Sequence, residues 1–158
     1  MPIRCASKAI IVRDGCILLN RCHHFNGSIY YDLPGGGQHT YETLEDALIR
    51  EVREETGYTV RVVRFAGMAE EIYTSPLMRE KYPEYTHRIL HLFAAELTDV
   101  PRLQPTEKDL YMDECVWMPL EEAERQKINP DGIASYLRRI VGNGESIYLG
   151  SHTIANIE

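Results

Sequence analysis

Apolar residues occur along this chain in runs whose length and spacing predict β-strands. The first two runs, Ile3 to Val12 and Cys16 to Cys22, are separated by Arg13-Asp14-Gly15, and an Asp-Gly pair between apolar runs is a hairpin signal. Two further runs, Val60 to Met68 and His87 to Leu97, have the same character. The second of these is apolar on both faces, which predicts a strand in the middle of a sheet.

Two other segments have the period of a helix. In the first, apolar residues recur at helical spacing between Thr43, which resembles a capping residue, and Gly57, which is a typical stop. In the second, Asn129-Pro130 opens a helix that we expect to run to about Val141, with Gly142 ending it. The order strand, strand, helix, strand, strand, helix predicts an α/β (α+β) fold in which a mixed β-sheet lies between helices.

The first helix carries carboxylates on the side that should face the core. Glu51, Glu54 and Glu55 fall within an arc of roughly 100°, which the apolar residues of the earlier turns share. Like charges near a helix C-terminus repel one another and oppose the macrodipole by roughly 0.3–1 kcal/mol each. A divalent cation removes this conflict, and oxygen ligands suit Mg²⁺ or Mn²⁺. The alternative is a solvated acidic helix end.

The residues around these glutamates follow a longer pattern. Gly36 is followed after five residues by Glu42, and after seven more by Arg50-Glu51-Val52-Arg53-Glu54-Glu55-Thr56-Gly57. From Gly36 to Tyr58 the chain resembles the signature box of the Nudix hydrolase superfamily, although the family prefers an aliphatic residue in place of Tyr58. His39-Thr40-Tyr41 also replaces the acidic residue, proline and glycine that are common there. The resemblance implies an α/β/α sandwich.

The resemblance further implies a Mg²⁺- or Mn²⁺-dependent enzyme in which water attacks a diphosphate. A metal ion in such a site clamps the diphosphate and lowers the pKa of a bound water. Pairing of Arg50 with Glu42 would hold the helix against the glycine turn. The implied metal ligands are the carboxylates of Glu51, Glu54 and Glu55 and the carbonyl of Gly35.

The general base is left open by the resemblance, because in the family it lies either in the box or on a later loop. Glu51 is the candidate within the box, as a ligand, a base or both. Downstream, the segment that precedes Trp117 offers several carboxylates, and we expect Glu107 or Glu114 to take the role. The alternative is that these are solvated loop charges.

Substrate recognition lies outside the box. The stretch from Glu70 to His87 is too long and too polar for a simple connection, and we expect a binding loop there. Its tyrosines can stack on a nucleobase and its cations can hold a phosphate or ribose, unless the tyrosines simply pack in the core. The candidates for substrate binding are Tyr73, Arg79, Tyr85 and Arg88.

The substrate class implied by the resemblance is a nucleoside diphosphate linked to another moiety. In the family a tyrosine past the box accompanies dinucleoside polyphosphates and a proline accompanies ADP-ribose, and this chain has both Tyr73 and Pro76 near that place. We favour ADP-ribose or a nucleoside diphosphate sugar and leave dinucleoside polyphosphates and oxidised nucleoside triphosphates open. A catalytically silent, nucleotide-binding module is a second class of function, which the presence of all three box glutamates disfavours.

Composition limits the partners and the compartment. With 158 residues and a formal net charge of −7, we expect one domain that does not bind long nucleic acid, since that requires a basic surface. No apolar stretch is long enough for a signal peptide or membrane span, and the four cysteines form no CxxC pair, so we expect a cytoplasmic protein. The tail from Ser146 to Glu158 alternates loosely in polarity and predicts an added edge strand, hence a homodimer.

Overall fold

The computed structural model describes residues 2–155, in which strands and helices alternate along the chain. The four helices are α1 Leu44–Thr56, α2 Pro76–Lys81, α3 Leu120–Ala123 and α4 Leu137–Asn143. The nine strands are β1 Arg4–Arg13, β2 Cys16–His23, β3 Ile29–Asp32, β4 Gly35–Gly37, β5 Val60–Tyr73, β6 His87–Leu97, β7 Met112–Pro119, β8 Ile128–Asn129 and β9 Ile147–Ile154.

All nine strands join one mixed, curled sheet in the order β8-β3-β2-β1-β6-β5-β9, with β4 also paired to β1 and β7 to β2. Strand β1 connects the two parts of this sheet. From Arg4 to Ile11 it runs parallel to β6, and at Val12 and Arg13 it turns into the antiparallel hairpin with β2. Asp14 and Gly15, both with positive φ, form the predicted two-residue turn. The predicted bounds of β6 are confirmed, and β6 lies between β1 and β5.

Alternate residues of the central strands enter two different cores. One core contains Ala9 and Ile11 of β1 together with Leu48 and Val52 of α1. The other contains Ile10 of β1 together with residues of α3 and α4. Because successive strand residues point to opposite faces, α1 packs on one face of the sheet and α3 and α4 pack on the other. None of the helices in residues 2–155 is long and apolar enough to span a bilayer.

The second predicted helix differs from the structure. Asn129 ends β8, Ile133–Tyr136 is a 3₁₀ helix, and α4 begins only at Leu137. Gly142 lies inside α4, and Gly144, in the left-handed conformation, is the residue that ends it. The predicted start was wrong because pairing of β8 with β3 takes the first residues into the sheet, and the predicted end was two residues too early.

The predicted binding loop is shorter than expected. Strand β5 continues beyond Met68 to Tyr73, so the polar residues at its end belong to the sheet and pair with β6. The remaining connection contains α2 and a 3₁₀ turn at Pro83–Tyr85. The strand prediction stopped too early because glutamates at the end of β5 resemble loop residues.

Candidate functional site

Helix α1 has well-formed ends, which fix where its carboxylates lie. The side chain of Thr43 accepts a hydrogen bond from the amide of Asp46, and Gly57, with φ of 78°, stops the helix and donates its amide to the Arg53 carbonyl. The buried positions along the helix are Ala47, Leu48, Val52, Glu55 and Thr56. The buried stripe therefore passes directly from apolar residues to a carboxylate, as the sequence predicted.

The glycine strand β4 lies between β1 and α1. Gly35, Gly36 and Gly37 pair with Lys8, Ser7 and Ala6 of β1. A side chain at Gly36 would overlap the carboxylate of Glu51, so the absence of a Cβ lets this carboxylate approach the backbone.

Arg50 connects the glycine strand to the acidic face of the helix. Its guanidinium donates to both carboxylate oxygens of Glu42, at 2.7 and 3.0 Å, and to the carbonyl of Gly37 at 2.9 Å. This is the predicted pairing, and it lowers the pKa of Glu42 to about 2. Arg50 also donates to Glu51 at 2.8 Å and Glu54 at 3.1 Å. The long side chain of Arg50 thus reaches both the glycine strand and the acidic face of the helix.

Three carboxylates converge beside this arginine. Glu51, Glu54 and Glu107 each offer an oxygen, and these oxygens lie within 4.8 Å of one another. Glu107 reaches the cluster because the amides of Thr106 and Glu107 both donate to the carbonyl of Glu54, at 2.8 and 3.0 Å. The loop thus satisfies a carbonyl at the helix end that would otherwise lack a partner. The negative charge of Glu54 raises the pKa of Glu107, as burial also does.

The donor set fits a hard divalent cation. Three carboxylates at this spacing provide oxygen ligands only, which suit Mg²⁺ or Mn²⁺ better than zinc. Gly35, whose carbonyl was a predicted ligand, lines the same cavity, and that carbonyl accepts a buried hydrogen bond from Lys8 Nζ at 3.1 Å. We name this group of Glu51, Glu54 and Glu107 the acidic cluster.

Glu55 occupies a different environment from the acidic cluster. It is 5 % exposed, and its Oε2 accepts hydrogen bonds from Asn20 Nδ2 at 2.7 Å and from the Gly35 amide at 3.1 Å. Burial raises its pKa to about 7, against the opposing effect of the Lys8 charge. Glu51 and Glu54 accept hydrogen bonds from Arg50, whereas Glu55 accepts from Asn20 and Gly35 and, among the described residues, lies outside the acidic cluster.

Lys8 is a buried cation that the sequence analysis missed. Its ammonium contacts Asp32 at 3.1 Å and also donates to the carbonyls of Leu33 and Gly35. Burial alone would lower the pKa of Lys8, but the charges of Asp32 and Glu55 outweigh it and raise that pKa. A lysine inside an apolar strand is the signal that could have identified it.

Two adjoining cavities lie along the sheet beside the helix. The first, of about 350 Å³, contains the acidic cluster, and we call it the cluster cavity. The second, of about 650 Å³, is lined by residues of β3, β5, β8 and β9, and we call it the β9 cavity. Lys8, Asp32 and Arg88 line both, so these three side chains stand at the junction between them.

The predicted substrate-binding residues divide between these cavities. Arg88 lies at the junction and forms an ion pair with Glu71. Tyr85 lines the cluster cavity, whereas Tyr73 lines the β9 cavity. Arg79 lines neither of them, and its guanidinium is exposed and donates to the Tyr73 carbonyl at 2.7 Å.

The two candidate bases downstream of the box, Glu107 and Glu114, lie in different places. Glu107 belongs to the acidic cluster. Glu114 is an exposed residue of β7, and within residues 2–155 it is not part of a group of acidic side chains at metal-binding distance. It lines a third cavity, of about 400 Å³, together with Glu55 and Glu107.

Comparison with known proteins gives consistent matches. The family model described as NUDIX domain matches residues 3–139. Phosphatase NudJ of Escherichia coli (strain K12) is 33% identical over 97 residues, which are 61% of this chain and 56% of that protein. This chain therefore aligns with little more than half the length of that relative.

Solved structures match over a larger share of the chain. A NUDIX hydrolase from Nitrosomonas europaea superposes with a TM-score of 0.69 at 17% identity, covering 94% of both chains. The E. coli ORF135 protein superposes with a TM-score of 0.63 at 27% identity, covering 90% of this chain and 91% of its own. These similarities confirm the predicted fold class.

Proposed function

This chain belongs to the NUDIX domain family, and from that premise we propose that it is a metal-dependent hydrolase of small nucleotides. The reaction is cleavage of the diphosphate linkage between a nucleoside and another moiety. The single observation that carries the proposal is the acidic cluster, whose three carboxylate oxygens lie within 4.8 Å of one another at the edge of a cavity.

In this proposal the acidic cluster would hold Mg²⁺ or Mn²⁺. Bound there, the cation supplies charge neutralisation at the diphosphate and acidifies a water. Water oxygen attacks one phosphorus, the bridging P–O bond breaks, and the leaving phosphate takes the bonding electrons. Glu107, whose carboxylate lies beside the other two carboxylates of the cluster, is the proposed acceptor of the proton of the water.

Arg50 and Glu42 act as positioning residues. Their bidentate pair, with the bond from Arg50 to the Gly37 carbonyl, fixes α1 against the glycine strand. Arg50 also bonds to Glu51 and Glu54, so the same side chain sets the orientation of two proposed ligands. Lys8 and Arg88, at the junction of the two cavities, are proposed to donate hydrogen bonds to phosphate oxygens along the path to the β9 cavity.

For the substrate we favour ADP-ribose or a nucleoside diphosphate sugar. A cavity of about 650 Å³ adjoining the cluster cavity gives room for a second, non-phosphate moiety. Dinucleoside polyphosphates and oxidised nucleoside triphosphates are the competing substrates. Among the structural matches are an ADP-ribose pyrophosphatase from Streptococcus suis and a UDP-X diphosphatase, at 17% and 16% identity, which support the fold alone.

The test is hydrolysis of a panel of these substrate classes with and without Mg²⁺ or Mn²⁺, with products separated by ion-exchange chromatography. We expect one class to be cleaved only with metal, and Glu54→Gln to abolish the cleavage. Glu45→Gln is the matched control, because Glu45 is an exposed residue of the same helix. If the protein binds nucleotides but cleaves no substrate of the panel, the proposed hydrolase activity is overturned and a catalytically silent binding module is favoured.

Assembly and compartment are further proposals. We propose a homodimer through β9, which is the terminal strand of the sheet order within residues 2–155. A monomeric mass by light scattering would contradict it. We also propose a cytoplasmic protein whose residues form one domain, and the four free cysteines are consistent with a reducing compartment.

A further inference from the structure

Strand β9 lies outside the part of the chain that the family model matches. That match ends at residue 139, whereas β9 is Ile147–Ile154. The strand runs parallel to β5, and its register places His152 beside Glu71 and Ile154 beside Tyr73. Its residues from Ser151 to Ile154 line the β9 cavity. A segment beyond the family match therefore forms one wall of a cavity that adjoins the acidic cluster.

Another part of the lining of this cavity is aromatic. The rings of His24 and Tyr30 are stacked, with centroids 4.3 Å apart and an angle of 28° between their planes. Both residues line the cavity. The pair provides a preformed apolar surface, bordered by polar groups, of the kind that contacts a nucleobase or ribose.

Two imidazole nitrogens at this cavity lack a partner. His24 Nε2 and His152 Nε2 are buried, and neither has a hydrogen-bond partner within the described residues. The other ring nitrogen of His152, Nδ1, lies 4.0 Å from the Asp131 carboxylate, which also lines the cavity. Since buried polar atoms are normally hydrogen-bonded, each nitrogen has an unused hydrogen-bonding capacity, which a turn of the imidazole ring would direct into the cavity that both residues line.

The charges that line the β9 cavity balance one another. The junction cations are paired, Lys8 with Asp32 and Arg88 with Glu71, and Lys127 and Asp131 contribute one charge of each sign. A balanced, polar cavity suits an uncharged moiety with hydrogen-bonding groups better than a further phosphate.

We propose that β9 is a specificity element, in which His152 hydrogen-bonds the nucleobase of the substrate inside the β9 cavity. This inference rests on the proposed function, because the diphosphate must lie between the acidic cluster and this cavity. The nucleoside packs against the His24–Tyr30 pair, and the phosphates extend past Lys8 and Arg88. The strand outside the family match thereby decides which nucleotides bind well.

Point variants test the inference better than removal of the strand, because Ile147 belongs to the core and truncation would unfold the sheet edge. His152→Ala is the test and His152→Gln is the rescue, since the glutamine amide can occupy the place of Nε2. Tyr148→Ala is the matched control, because Tyr148 lies on the same strand, is 64 % exposed and does not line the cavity.

The first readout is binding of nucleoside 5′-monophosphates by calorimetry in EDTA, which needs neither metal nor turnover. We expect His152→Ala to weaken binding about tenfold, the size of one good hydrogen bond, and His152→Gln to restore most of it. Tyr148→Ala should bind as wild type does. Ribose 5-phosphate, which lacks the base, should bind equally to all four proteins. An equal loss for ribose 5-phosphate, or no difference between His152→Ala and Tyr148→Ala, would overturn the proposal.

The second readout is the kinetics of the best substrate in the hydrolysis panel. His152→Ala should raise KM about tenfold and leave kcat within about twofold, since the residue lines the β9 cavity and not the cavity that contains the acidic cluster. If Glu54→Gln abolishes hydrolysis but His152→Ala leaves KM unchanged, the inference about β9 is refuted and the proposed hydrolase activity stands. If wild type hydrolyses no substrate but His152→Ala loses monophosphate binding, the proposed hydrolase activity is refuted and the proposed binding site in the β9 cavity is supported.

Discussion

Replacing Glu55 by glutamine should change how the stability of the metal-free protein depends on pH. Glu55 is 5 % exposed, and burial raises its pKa from the ordinary value of 4.5 to about 7. The folded state therefore retains the proton of Glu55 in a range where the unfolded chain has lost it. In that range the free energy of unfolding falls as the pH rises.

The size of the effect follows from the two pKa values. Raising the pKa from 4.5 to about 7 corresponds to about 3 kcal/mol over the whole titration, and about 2.5 kcal/mol of this falls between pH 5 and pH 8. Glutamine has no proton to lose and still offers an oxygen to Asn20 and to the Gly35 amide. Glu42, whose pKa is lowered to about 2, titrates below this range and does not contribute to it.

The assay is urea unfolding in EDTA at several pH values from 5 to 8. The stability of wild type minus that of Glu55→Gln should decrease by about 2.5 kcal/mol across the series. Glu45→Gln, at an exposed position of the same helix, should give a constant difference from wild type. Parallel curves for wild type and Glu55→Gln would refute the reasoning, because the carboxyl would then ionise equally well in the folded and unfolded states.

Three further predictions concern stability and metal. Arg50→Met should lower the free energy of urea unfolding by about 2–3 kcal/mol, since it leaves a mostly buried Glu42 without its ion pair. Arg61→Met is the control: Arg61 forms an exposed pair with Glu96, and its loss should lower the free energy of unfolding by under about 1 kcal/mol. Tyr41→Asn should raise the thermal midpoint and increase the free energy of unfolding by about 0.5–1 kcal/mol, because Tyr41 is fully exposed and has a φ of 67°, which asparagine tolerates better. An unchanged or lower midpoint would contradict this. Mg²⁺ or Mn²⁺ at about 100 times its Kd should stabilise wild type by about 2.7 kcal/mol, and Glu54→Gln should show a much smaller shift in the same thermal scan.

The sequence predicted those elements whose signals are local. The Asp14-Gly15 turn, the cap and stop of α1 and the bounds of β6 depend on neighbouring residues, and each was recognised from the pattern alone. The helix after Asn129 was placed wrongly because a strand pairing with β3, distant in sequence, takes up its first residues.

The sequence predicted the part of the candidate site that lies within the signature box, from Gly36 to Tyr58. The sequence identified the glutamates of α1, and it offered Glu107 and Glu114 as later candidates, but it could not show that Glu107, and not Glu114, joins the acidic cluster. That depends on two amides bonding to the end of α1. The buried partners Lys8, Asn20 and Asp32 were missed, because each acquires its role through a contact with a residue more than twenty positions away.

The parallel pairing of β1 with β6 has a consequence for folding during synthesis. Arg4 of β1 aligns with Arg88 of β6, so the ribosome must add some eighty residues before β1 gains this neighbour. At about 5–20 residues per second this takes several seconds, during which one apolar edge of the β1–β2 hairpin stays open. The nascent chain is therefore most prone to aggregate before β6 emerges, and chaperone dependence should be greatest for chains arrested in that interval.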